Sequence, residues 1–103
     1  MGHCMDTRQT DTFSTWLHKL RDARARAKIA ARIQRLALGN PGDVEPVGNG
    51  VSELRIHYAA GYRVYYLQMG DVAIILCGGD KSTQSQDIET AKRLAEEARM
   101  LWK

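Results

Sequence analysis

Apolar residues recur along this chain with two periods, and the change from one to the other separates a helical first half from a strand-rich second half. Phe13, Trp16, Leu17 and Leu20 fall at i, i+3, i+4 and i+7, the stripe of a helix packed on one side, with Asp11 or Thr12 as its N-cap. From Arg21 the run RDARARAKIAARIQRLALG is alanine-rich and lacks a β-branched cluster, which favours a second, longer helix. Ile29, Ile33 and Leu36 mark its apolar edge. A break near Arg21–Asp22 makes residues 12–38 a helical hairpin, and Gly39 supplies the left-handed residue that ends it. The next segment, GNPGDVEPVGNG, holds both prolines and four of the nine glycines, so residues 39–52 read as a loop.

The period then shortens to two. Leu54, Ile56 and Tyr58 alternate with Glu53, Arg55 and His57, the pattern of a half-buried strand with its polar side outward. Ala59-Ala60-Gly61 turns the chain. Tyr62, Val64 and Tyr66 alternate with Arg63, Tyr65 and Leu67, and after Gly70-Asp71 the run VAIILC is apolar enough for a strand covered on both faces. Residues 53–77 thus form a three-strand meander. Residues 84–102 form a closing helix capped by Thr83 or Ser85, with Ile88, Ala91, Leu94, Ala95, Ala98, Leu101 and Trp102 on its apolar side. Within residues 1–11, Met5–Thr10 is a candidate first strand. The order β-α-α-β-β-β-α predicts an α+β fold, a small antiparallel sheet packed against helices.

A chain of 103 residues is expected to make one domain with one modest core. No apolar run approaches the roughly 20 residues of a membrane-spanning helix, and the start MGHCMDTRQT lacks the apolar region of a secretory signal, so the expected compartment is the cytoplasm. The net charge of +3 is unevenly placed: residues 1–38 carry eight basic and three acidic side chains, residues 39–103 seven and nine. Arg21, Arg24, Lys28, Arg32 and Arg35 fall on one arc of the second helix. They are either a solvated face or a surface for nucleic acid or an acidic polypeptide. Cys4 and Cys77 have no metal-binding spacing and are expected to be free thiols.

The candidate chemistry lies at the β-hairpin. Arg55 and His57 share a strand face, Arg63 lies across the turn, and Lys81 with Gln84 follows the last strand. Cutting RNA by internal transfer needs a base for the 2′-hydroxyl, an acid for the departing 5′-oxygen, and cations for the charged phosphorane. Arg55, Arg63 and Lys81 supply charge, and His57 is the side chain suited to proton transfer; no cofactor or metal is required. Against this stand plainer roles: Arg55 or Arg63 pairing with Glu53, Lys81 neutralising Asp80, and His57 as an ordinary surface residue. Tyr62 and Tyr66 read as core, and Tyr65 as the ring placed to stack on a base. GGDKST is not a Walker-type phosphate loop, because Asp80 separates Gly79 from Lys81. Ser82 and Thr83 have no triad partners at a recognisable position.

The segments FSTWLHKLRDARARAKIAARIQRLALGNPGD, VSELRIHYAAGYRVYYL and LCGGDKSTQSQDIETAKRLA together resemble the addiction-module killer proteins, a HigB-like branch of the RelE/ParE toxin superfamily. The resemblance spans about residues 12–95 and implies the superfamily's β-α-α-β-β-β-α fold. It also implies a toxin encoded with a small antitoxin, which in this family often carries a helix-turn-helix region. RelE-like and HigB-like members cut mRNA in the ribosomal A site without a metal, whereas ParE-like members poison DNA gyrase. Arg63 matches the family's G-Y-R strand, Arg55 the L-R-I strand, and Lys81 with Gln84 the loop before the last helix. The sequence departs from many RelE members in having no tyrosine after Tyr66; Asp80, Lys81 and Asp87 occupy that region instead, and the general acid and base stay unassigned. The first reading is a ribosome-dependent mRNA endoribonuclease, with the basic stripe, Tyr65 and Gln84 meeting RNA or ribosome. The alternatives are a ParE-like toxin acting on gyrase and an inactive relative that keeps only antitoxin binding.

Overall fold

A computed structural model describes residues 4–101. In chain order its elements are β1 (Asp6–Gln9), α1 (Asp11–Lys19), α2 (Ala23–Ala37), β2 (Val44–Gly48), β3 (Val51–Ile56), β4 (Tyr62–Met69), β5 (Val72–Gly79), a 3₁₀ turn (Lys81–Thr83) and α3 (Gln84–Leu101). The fold is α+β, with one five-stranded sheet in the order β1-β5-β4-β3-β2. Neighbouring strands are antiparallel except for the edge pair β1 and β5, which is parallel.

The sheet is covered on both sides. On one face Phe13 of α1 and Ile29 and Leu36 of α2 pack with Leu54, Ile56, Val64, Tyr66, Ala73 and Ile75. On the other, Ala91, Ala95 and Ala98 bring α3 close to Val51, Tyr65, Leu67, Ile74 and Leu76. Burial of this apolar area is the main force assembling the layers, and the 3.6-residue and two-residue periods select which side chains take part. Leu101, expected on the apolar side of α3, is exposed instead, and Trp102 lies outside the described residues.

Three local expectations are corrected. Residues 39–52 are not all loop: β2 occupies Val44–Gly48 and β3 starts at Val51. Val44 and Val47 each pack toward one of the two cores, and the Asn49-Gly50 turn, with φ of +55° and +76°, has the left-handed geometry of a tight hairpin. Pro46 is tolerated because β2 is an edge strand. Thr10, rather than Asp11 or Thr12, caps α1; its hydroxyl accepts from Phe13 N at 3.0 Å and donates to the Leu76 carbonyl at 2.5 Å, tying the helix to β5. Asp80, rather than Thr83 or Ser85, caps the turn leading into α3, accepting from the Ser82 backbone and hydroxyl.

Candidate nucleic-acid interface

Register places the basic residues. Arg55 of β3 stands directly opposite Arg63 of β4, and Glu53 opposite Tyr65. All four point to the α3 side of the sheet, at the end where α3 begins. The turn joining the strands folds back through Ala59 and Gly61, with φ of +50° and +74°. Lys81 N donates to the Ala60 carbonyl at 3.3 Å, which fixes the 3₁₀ turn against the hairpin turn. A methyl group on Gly61 would be in ordinary van der Waals contact with Lys81 Cβ at 3.4 Å and Arg63 Nη1 at 3.5 Å, so these three residues adjoin one another. The result is an open cleft of about 460 Å³ lined by His57, Tyr58, Ala59, Ala60, Gly61, Arg63 and Lys81.

Glu53 organises the floor beside this cleft. The strand pattern marks it as an outward residue, yet it has no exposed surface, because the start of α3 covers it. Its carboxylate accepts from Arg55 Nε at 3.1 Å and from Gln84 Nε2 at 2.8 Å, and Arg63 Nε lies 3.9 Å from it. The Arg55 guanidinium therefore holds its proton more tightly than usual, chiefly through the hydrogen bond to Glu53. Gln84 is thus a buttress of Glu53. Tyr65, expected to stack on a base, is fully buried; burial first, and the facing Glu53 charge second, push its hydroxyl pKa upward. No aromatic platform exists at that position.

His57 is exposed on the other lip, its Nε2 2.5 Å from the Asp43 carboxylate. That hydrogen bond holds Asp43 below the usual carboxylate range. Asp43 is itself held by its backbone: its carbonyl accepts from Arg55 N and from Arg32 Nη2, both at 3.0 Å. Arg32 also donates to the carbonyls of Arg55 and Pro41, so this member of the basic stripe turns inward and works as an anchor. Burial, and then the charge of Arg35, lower its pKa.

Beyond His57 the surface continues into a second basic depression of about 250 Å³, lined by Lys28, Ala31, Arg32, Arg35, Ile56 and His57. Arg21 and Arg24 are exposed further along the helical hairpin and line neither depression. Tyr58 joins the two areas: its hydroxyl donates to Asp22 at 2.9 Å, raising its own pKa, and Lys28 Nζ lies 5.3 Å from its ring centroid. Among the sequence candidates, then, His57, Arg63 and Lys81 share one cleft, with Arg55 paired beside them. Lys28 and Arg35 extend the basic surface. Glu53, Asp43 and Tyr58 were not selected as site residues. For Glu53 the available signal was its shared strand face with Arg55 and His57.

Cations around an open cleft suit a phosphate or the charge that develops on one. Asp80 is engaged in capping, and among the described residues Lys81 is in no ion pair. Among these residues no cluster of His, Cys, Asp and Glu is arranged to hold a metal ion, and no helix is long and apolar enough to cross a membrane.

Comparison with known proteins places these features in a lineage. Residues 15–103 match the family described as phage derived protein Gp49-like (DUF891). An uncharacterized protein of Haemophilus influenzae is 57% identical over 89 residues, covering 85% of this chain and 90% of its own length. A match over this much of the sequence, on a fold whose basic cleft is built by the matched segment, settles the lineage: the chain belongs to the Gp49-like phage-derived family, a RelE/ParE-like family of toxin type.

Proposed function

We propose that this chain is the toxin of a type II toxin–antitoxin pair, HigB-like in its branch, and that it acts in the cytoplasm as a metal-independent, ribosome-dependent mRNA endoribonuclease. The observation that supports this best is the meeting of His57, Arg63 and Lys81 on one open cleft, with Arg55 directly opposite Arg63. In this reading Arg63 and Lys81 contact the scissile phosphate and Arg55 reinforces them. The mRNA 2′-oxygen attacks phosphorus and loses its proton to a base, for which His57 is the candidate. The bond from phosphorus to the 5′-oxygen breaks, that oxygen gains a proton, and a 2′,3′-cyclic phosphate remains. The basic surface formed by Lys28 and Arg35, extended by Arg21 and Arg24, meets further phosphates of mRNA or rRNA, which makes binding strongly salt-dependent. A cognate antitoxin restrains the toxin.

Primer extension on a translated reporter after induction tests the reading. Cuts within the translated frame, absent with Arg63→Ala, are expected. Intact mRNA accompanied by DNA breaks would replace it with a gyrase-directed toxin, and absence of both would mark a chain that only binds its antitoxin.

A further inference from the structure

We infer that Glu53 is a positioning residue that aims the guanidinium forks of Arg55 and Arg63 at an RNA phosphate; this rests on the ribonuclease reading above. The geometry is specific. Glu53 engages Arg55 through Nε, so neither terminal amino group of Arg55 has a hydrogen bond among the described residues. Arg63 has its Nε buried 3.9 Å from the same oxygen and its Nη1 on the Gly61 carbonyl at 3.0 Å, which leaves Nη2 without a partner among these residues. One carboxylate thus hydrogen-bonds Arg55 and lies within ion-pair range of Arg63, whose buried Nε has no hydrogen-bond partner among these residues, and the far sides of both guanidinium groups are left for a ligand. Planar forks fixed in this way match phosphate oxygens better than mobile ones.

Stability alone does not call for this arrangement. Replacing a buried ion pair by apolar side chains of similar volume is often neutral or favourable. A carboxylate beside a phosphate site also carries an electrostatic penalty, because it repels the substrate. Its presence, wholly buried and gripped from the other side by Gln84, is accounted for by the orientation it imposes.

The two effects have opposite signs, and this makes the idea testable. Binding of a trinucleotide whose central 2′-hydroxyl is methylated, and single-turnover cleavage of ribosome-bound mRNA, would be compared for the wild-type protein, Glu53→Gln and Glu53→Asp. If Glu53 contributes charge only, Glu53→Gln binds the trinucleotide more tightly and Glu53→Asp behaves as wild type. Positioning predicts that both variants, when folded, bind about tenfold more weakly and lose kcat by tenfold or more beyond any change in KM. Wild-type kcat in both variants, or tighter binding by Glu53→Gln, overturns the inference and leaves the nuclease reading intact. No cleavage by the wild-type protein, with trinucleotide binding still weakened in both variants, overturns the nuclease reading and leaves the positioning role. Should neither variant fold, proton exchange at Arg55 Nε in the wild-type protein decides: exchange much slower than at the exposed Arg21 is expected, and equal rates overturn it.

Discussion

Replacing Gly78 with alanine should drive a methyl group into the indole of Trp16. Gly78 lies in β5 with ordinary strand backbone, so conformation places no demand for glycine there. Space does: a Cβ at this position overlaps three ring carbons of Trp16. The ring has little freedom to retreat, since it packs at 5.9 Å from Phe13 and 6.3 Å from Tyr62, centroid to centroid. Overpacking of this kind costs about 1–3 kcal/mol, offset by about 0.5–1 kcal/mol because a glycine is removed from a strand. The net loss is about 1–2 kcal/mol, or roughly 5–15 °C in Tm for a domain of this size. Thermal unfolding of Gly78→Ala, Trp16→Ala and the double variant forms the assay. In the Trp16→Ala background the same substitution should be neutral or stabilising, because the obstructing ring is gone. Equal destabilisation in both backgrounds would refute the steric account and point to backbone strain.

Three further outcomes follow from the packing and the charges. Burial pushes the Cys77 thiol up to about 12 while Cys4 is exposed, so the native protein should react with a thiol reagent at Cys4 alone, with Cys77 reacting only on unfolding. Asp22, Asp43 and Asp80 all have carboxyl pKa values held below the ordinary 3.8, led respectively by the Ala25 backbone, His57 and Ser82. Groups with depressed folded-state values stabilise fully above the unfolded value and lose that contribution as pH falls through the folded one. Tm should therefore drop as pH is lowered below about 4, and Asp22→Asn should flatten the drop. Arg32→Ala removes a charged donor from three carbonyls and should cost about 2–3 kcal/mol in a denaturant titration.

The layered fold was legible because its signals are local. The apolar stripe of α1, the alanines of α2 and α3, and the alternation of β3 and β4 each repeat within one element. The strand β2 was obscured by composition, since prolines and glycines crowd the same twelve residues. Yet Asn49-Gly50 flanked by Val47 and Val51 is a hairpin signal with a physical basis. The true caps, Thr10 and Asp80, lie outside the helices where the apolar period begins; Thr10 is fixed by the Leu76 carbonyl of β5, whereas Asp80, among the described residues, bonds only Ser82 and Thr83 of the turn it caps. Gly78-Gly79 illustrates the same limit. They stand before Asp80-Lys81 not to cradle phosphate but because Trp16 presses one side of β5 and Asp87 and Thr83 the other.

At the site, period two placed Arg55 and Arg63 on one face, whereas His57 lies past the end of β3 on the lip it shares with α2. What covers that face did not follow. The entry of α3 over β3 buries Glu53 and Tyr65, which turns a polar residue into an anchor and a supposed stacking ring into core. Arg32 likewise belongs to the basic arc by helical angle, but the loop after α2 folds back and draws its guanidinium inward. Tertiary closure decides such cases, and no local pattern records it.

The central claim is that Arg55, Arg63 and Lys81 act on one RNA linkage. Its most direct measurement is cleavage of mRNA on purified ribosomes by wild-type protein and by Arg55→Ala, Arg63→Ala and Lys81→Ala, with the new 3′ ends identified chemically. The account predicts 2′,3′-cyclic phosphate ends and a loss of about 10²–10³ in rate for Arg63→Ala, the scale of removing one transition-state donor, with smaller losses for the other two. Undiminished cleavage by all three folded variants would contradict it.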